Sequence, residues 1–190
     1  EISNTGIGSS KKVVMCGGEL KTKGETEGYE TYSFPIEVAE GTTSQFSPNR
    51  NCYIKSKVTG YGNLQVNIPY LREYFYGDWN DFHGRLIANS TYSDGGLLLI
   101  QNVTNDFPNN VVELKNNAII CGWQTNMTME VGGLSGDAAS RVYGSSKNTK
   151  GFVANYVVGG ANTDEIQGAP ASWKLTGWDG NTCTWLGFKP

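Results

Sequence analysis

Asn63-Leu64-Gln65-Val66-Asn67-Ile68 alternates polar and apolar residues without a break, the pattern of a β-strand that buries one face. The same period returns at Tyr32, Phe34, Ile36 and Val38, set against Thr31, Ser33, Pro35 and Glu37, and at Met127, Met129 and Val131, set against Thr128 and Glu130. Pro35 has no amide proton to give to a ladder, so its segment is expected at a sheet edge. Further strands are expected over 12–16, 52–58, 85–91, 97–103, 111–115, 118–122, 152–158, 172–175 and 184–188. Turn signals stand between them: Gly60-Tyr61-Gly62, Asp94-Gly95-Gly96, Asn116-Asn117, Gly132-Gly133, Gly159-Gly160 and Asp179-Gly180-Asn181. Short strands at this spacing predict an all-β chain: an antiparallel β-sandwich or jelly roll of the immunoglobulin-like kind. The one helix expected is a turn or two from Asp137, a good N-cap, to Tyr143.

Composition agrees with a turn-rich β domain. The 190 residues include 25 glycines, 38% are hydrophobic and 17% charged, and nothing resembles a linker, so one domain over 1–190 is expected. A net charge of −3 leaves no basic footprint for nucleic acid or an anionic membrane surface. The longest apolar run, Leu97-Leu98-Leu99-Ile100, is far short of the ~20 residues of a membrane-spanning helix, so no membrane insertion is expected. A start at Glu1 without a signal-like segment, and an end in the strand-like Trp185-Leu186-Gly187-Phe188, suit a domain excised from a longer secreted protein.

Four cysteines without a CxxC pair, each in or beside an apolar run, point to structural disulfides and to an oxidising compartment. Val14-Met15-Cys16-Gly17 recurs as Ile119-Ile120-Cys121-Gly122, and Cys52-Tyr53-Ile54 loosely as Cys183-Thr184-Trp185. If the frames mark duplicated halves, the bridges are Cys16–Cys52 and Cys121–Cys183, each contributing roughly 4 kcal/mol by loop closure. Four cysteines allow three connectivities. An extracellular or cell-surface location follows from the same reading.

The densest mixture of aromatic and polar residues is Tyr74-Phe75-Tyr76-Gly77-Asp78-Trp79-Asn80-Asp81-Phe82-His83-Gly84. Asp78, Asp81 and His83 are competent metal ligands, but Phe82 falls where a calcium loop needs an oxygen, and no metal or cofactor is expected. Sugar recognition fits these residue types better. A Trp ring stacks on the C–H face of a sugar while Asp and Asn side chains meet its hydroxyls. Asp78, Trp79, Asn80, Asp81 and His83 are therefore candidate ligand-binding residues, joined by Trp178 and Asp179 from the similar stretch Trp173 to Asn181. Competing with this is a purely structural turn, its rings in the core and its carboxylates capping backbone amides.

Catalytic readings are weaker. Glu37, Glu113 and Glu130 lie on expected strands, but their alternation suits a solvated face as well as a glycosidase cleft. No Gly-x-Ser-x-Gly elbow accompanies His83, the one histidine, so no catalytic residue is assigned. Asn89-Ser90-Thr91, Asn102-Val103-Thr104 and Asn126-Met127-Thr128 match the N-glycosylation triplet, which a chain so rich in Asn, Ser and Thr also produces by chance.

Val66-Asn67-Ile68-Pro69, followed by Tyr76-Gly77-Asp78-Trp79-Asn80 and Arg85-Leu86-Ile87-Ala88, resembles a pattern in the N-terminal receptor-binding lectin domains of chaperone-usher fimbrial tip adhesins. There a strand ending in Ile-Pro or Leu-Pro is followed by a Gly-x-Trp or Gly-x-Tyr step into the next strand. The resemblance covers 66–88. It implies a β-sandwich displayed at a pilus tip, a glycan or glycoprotein receptor, and contact with other pilus subunits through the parent protein. The cysteine spacing departs from that family, and no binding residue transfers by position.

The function expected is a non-enzymatic extracellular adhesin or lectin domain that binds host glycans at a shallow aromatic and polar site. The alternatives are a pilus, phage or viral attachment domain with a protein partner, and a jelly-roll glycoside hydrolase.

Overall fold

In the computed structural model the strands never reverse. Every pairing is parallel, and the chain winds as a β-solenoid, one sheet per side of the coil. The structure describes residues 11–22, 30–70, 73–100, 107–122, 127–143, 154–158 and 183–188. The first coil runs through β1 (Val13–Met15), β2 (Gly18–Lys21) and β3 (Thr31–Tyr32), the second through β4 (Ile36–Val38), β5 (Thr43–Ser47) and β6 (Tyr53–Ile54). The third holds β7 (Val58–Gly60), β8 (Asn63–Ile68) and β9 (Glu73–Phe75). After it come β10 (Arg85–Ser90) and β11 (Leu97–Ile100), β12 (Phe107–Lys115) and β13 (Ile119–Gly122), and β14 (Met127–Gly136) and β15 (Arg141–Tyr143). β16 (Ala154–Val158) and β17 (Cys183–Phe188) complete the series. A short sheet contains β1, β4 and β7; a long eight-stranded sheet runs from β2 to β17; a six-stranded sheet runs from β3 to β15.

Register gives the repeat. Leu64 lies beside Leu86, 22 residues on, and Ile36 beside Val58 at the same spacing. The step from Leu86 to Val112 is 26 residues, and from Ala154 to Cys183 it is 29, so extra residues are looped out while the columns persist. Inward columns make the core: Leu20, Phe46, Val66, Ala88 and Leu114 form one, Leu64, Leu86, Val112 and Leu134 the next, all buried. Trp79 fills the coil interior with its ring 5.5 Å from Phe75, 5.7 Å from Phe82 and 5.3 Å from Phe107.

The all-β expectation holds, but the antiparallel immunoglobulin-like sandwich does not. Alternation misleads here for a physical reason. Parallel sheets usually bury both faces, whereas the long sheet of this coil buries one and exposes the other, which is the alternation of an antiparallel sheet. The turn signals are corners rather than hairpins. Asn116 and Asn117 both take left-handed backbone (φ 54° and 66°), a pair that suits a hairpin, yet they bend the chain from the long sheet into the six-stranded one. Gly60 shows what close stacking demands: its φ is 107°, and a Cβ there would sit 2.2 Å from the Val38 carbonyl oxygen on the previous coil. The expected helix at Asp137 is a single turn before β15. Its side chain does cap, accepting from the Ala139 and Ser140 amides at 3.0 and 2.9 Å.

The disulfide expectation is also corrected. Among the described residues no disulfide forms, and the proposed Cys16–Cys52 and Cys121–Cys183 pairs occupy unsuitable places on the coil. Cys16 is exposed in the corner between β1 and β2, while Cys52 is buried ahead of β6. Cys121 lies in the six-stranded sheet and Cys183 in the long one. The two look-alike frames thus fall at different positions around the coil and mark no duplication.

Candidate functional site

In the long sheet, period two sends Glu19, Gln45, Gln65, Ile87 and Glu113 outward in one column and Lys21, Ser47, Asn67, Asn89 and Lys115 in the next. Parallel in-register stacking places like side chains side by side, so their amides and hydroxyls bond along the coil axis. Asn67 Nδ2 donates to Ser47 Oγ at 2.8 Å and to Gln45 Oε1 at 3.1 Å, and its Oδ1 accepts from Asn89 and Gln65, each at 2.8 Å. The Ser47 hydroxyl donates in turn to Glu19, and Asn116 extends the row to Asn89 at 2.7 Å. Surface side chains that would otherwise sample many rotamers are held in one arrangement.

Where the long sheet turns its corner, this row borders a groove of about 340 Å³, lined by Glu19, Lys21, Thr22 and Thr91, by Ser47-Pro48-Asn49, and by Asn67 and Pro69. The corner segments stack coil on coil. The Thr22 amide donates to the Ser47 carbonyl at 3.1 Å, and the Asn49 amide to the Thr22 hydroxyl at 3.1 Å. The Thr91 amide donates to the Ile68 carbonyl at 2.9 Å. One residue further on, the Arg50 guanidinium lies 3.8 Å from the centre of the Tyr70 ring, and Tyr70 meets Tyr92 edge-on at 5.2 Å. Two prolines therefore share the groove lining with amides, hydroxyls, the Glu19 carboxylate and the Lys21 ammonium, and Tyr70 and Tyr92 each follow a lining residue.

Beneath this corner lies a buried acid. Left-handed Asn51 (φ 56°) turns the chain so that the Cys52 amide donates to Glu73 Oε2 at 2.9 Å, with the Asn51 amide also reaching that carboxylate. The other Glu73 oxygen has no partner among the described residues, and burial pushes the carboxyl well above the usual range against those two amide bonds. Cys52 is buried with its thiol donating to the Asn49 carbonyl at 2.7 Å, and burial, then the Glu73 charge, push it up too. Such a thiol is protonated and unreactive.

The residues selected from sequence lie elsewhere. Asp78, Asn80, Asp81 and His83 share an exposed loop between β9 and β10, but Trp79 turns inward, 1% exposed, and presents no face to a sugar. Lys57 occupies the two carboxylates, 2.6 Å from Asp81 and 3.7 Å from Asp78, and holds the Asp81 carboxyl below its ordinary range. Asp78 also accepts from the Asn80 amide at 3.1 Å, the capping role weighed against a binding one. His83 stacks on Tyr61 of the previous coil, centroids 5.0 Å apart. Trp178 and Asp179 lie outside the described residues. Of the candidate acids, Glu37 pairs with Lys12 on the short sheet, while Glu113 on the long sheet meets Arg85 at 3.4 Å and Lys115 at 3.0 Å, so these two do not face each other.

Sequence reasoning missed the corner groove. Its signal is a spaced repetition: Ser47-Pro48-Asn49-Arg50, Asn67-Ile68-Pro69-Tyr70 and Asn89-Ser90-Thr91-Tyr92. A search for a period near 22 aligns them and reads the chain as a solenoid. No protein-family model matches the chain, and neither a curated protein nor a solved structure matches it.

Proposed function

We propose that this chain is a non-catalytic, surface-exposed binding domain whose corner groove receives a glycan. The observation that carries the reading is the preformed lining of a groove of about 340 Å³, in which Glu19, Ser47, Asn49 and Asn67 stand together with Pro48 and Pro69, and Tyr70 follows just beyond. A sugar ring offers hydroxyls around its edge and C–H groups on its faces, and such a wall supplies both kinds of partner. Because the side chains already bond to one another, little entropy is lost when they exchange those bonds for ligand hydroxyls. The disulfide argument for export no longer contributes, so an extracellular setting rests on this binding role alone. Burial of Trp79 favours a second reading, attachment through a protein partner, since it removes the largest ring from the surface.

Binding of the intact chain to a glycan array, followed by calorimetry on the best glycan, tests the proposal. Asn67→Ala and Tyr70→Ala are each expected to weaken binding about tenfold, the cost of losing one central contact of ~1.4 kcal/mol. Asp81→Asn is expected to bind as the parent does. Silence across the array would count against the class, and losses confined to Asp81→Asn would return the site to the β9–β10 loop.

A further inference from the structure

We propose that the glycan received by the corner groove carries an acidic sugar, held by Lys21 from one wall and Arg50 from the rim. This inference rests on the glycan reading above and names the ligand's charge.

Lys12, Lys57, Arg85 and Lys115 are each ion-paired on the coil surface. Lys21 is exposed, lines the groove, and has neither an ion-pair nor a hydrogen-bond partner among the described residues. The carboxylate two residues before it on the same face of β2, Glu19, accepts instead from the Ser47 hydroxyl. Arg50 follows the lining residue Asn49 and has no carboxylate partner among the described residues. Its guanidinium lies over the Tyr70 ring at 3.8 Å, a contact that holds the group beside the groove without using its N–H donors. A planar fork is suited to a carboxylate.

The rest of the wall is neutral: Thr22, Ser47, Asn49, Asn67 and Thr91. In and beside the groove, Lys21 and Arg50 therefore offer two cations without a carboxylate partner among the described residues, next to one carboxylate that accepts from Ser47. Glu19 remains compatible with this ligand, because a carboxylate accepts from the sugar hydroxyls while the cations take its charge.

The test uses the intact chain on an array of uronic-acid and sialic-acid oligosaccharides, each printed beside its carboxyl-reduced neutral counterpart and a sulfated one. Acidic members are expected to bind at least about tenfold more tightly than their reduced partners, the scale of one hydrogen bond to a charged group. That preference is expected to shrink as salt is raised. Lys21→Gln and Arg50→Gln should each remove much of the preference, weakening the acidic members several-fold more than their neutral counterparts. Preference for the sulfated set, lost in the same variants, would keep the anionic site and replace the carboxylate. Equal binding of acidic and reduced glycans overturns this inference and leaves the glycan reading standing. Acidic preference that survives both substitutions overturns the assignment to Lys21 and Arg50. No binding to any member overturns the glycan reading itself.

Discussion

The corner groove and the β9–β10 loop are built from the same kinds of residue, and the coil puts them to opposite uses. Both combine aromatic rings, asparagine and carboxylates. In the loop, Trp79 turns into the coil, and Lys57 neutralises Asp78 and Asp81. At the corner, Tyr70 and Tyr92 stay half-buried and meet edge-on along the coil, and the polar row beside them faces solvent as a connected set. Composition therefore does not say which stretch is a site. Position around the coil does, because residues about 22 apart share an environment while their immediate neighbours do not.

The largest expected effect comes from Trp79. Trp79→Ala removes a ring packed by Phe75, Phe82 and Phe107 and should destabilise the chain by about 3–5 kcal/mol in urea denaturation. Its indole N–H has no partner among the described residues, so Trp79→Phe, which deletes that donor and keeps much of the ring, should cost clearly less. Under conditions where the alanine variant is still folded, its affinity for groove ligands should be unchanged. A variant that stayed stable but lost binding would break the comparison by returning Trp79 to a site.

Glu73 sharpens the other side of it, because this acid fastens the chain just past Asn49 and Arg50. Glu73→Ala leaves the Asn51 and Cys52 amides without their acceptor and should cost roughly 1–3 kcal/mol, whereas Glu73→Gln retains an acceptor oxygen. The pH dependence has a definite sign. Burial raises the folded carboxyl above its unfolded value, so its proton is bound more tightly in the folded state. The stability this contributes is fully present below the ordinary glutamate range and is lost as pH rises through the raised folded pKa. Glu73→Gln carries no titrating group and should remove that fall from the pH profile of the denaturation midpoint. An identical profile in parent and variant would show that the carboxyl is not perturbed.

Much of the strand content was legible in sequence. The stretches 63–68, 85–91, 111–115 and 118–122 all contain strands, because alternation and apolar runs follow from the geometry of one strand and its core. What joins the strands was not legible that way. Left-handed Asn116-Asn117 serves a reversal or a corner equally well, and only the spacing of whole segments separates the two. The inward turn of Trp79 was not legible for a related reason. Trp79 and Asp81 are two residues apart, and period two alone does not tell that one faces Phe107 while the other meets Lys57. Cysteines among Val and Ile were read as bridges, although a buried thiol such as Cys52 needs only a carbonyl, here that of Asn49.

The smallest effects are expected in the loop itself. Asp81 and Lys57 are exposed, so their pair is screened by solvent and should contribute little to stability. The Asp81 carboxyl is held down by Lys57, so its share is present above the unfolded aspartate range and is lost as pH falls through the lowered folded value. Asp81→Asn should therefore shift the neutral-pH midpoint only slightly, with the difference from the parent vanishing in acid. His83→Ala removes a ring stacked on exposed Tyr61 and should likewise cost under about 1 kcal/mol, because both partners keep most of their contact with water. Neither substitution should alter glycan binding, since the loop residues do not line the groove. A binding loss in His83→Ala at unchanged stability would make the Tyr61–His83 stack a recognition surface, and the corner groove would then no longer account for binding alone.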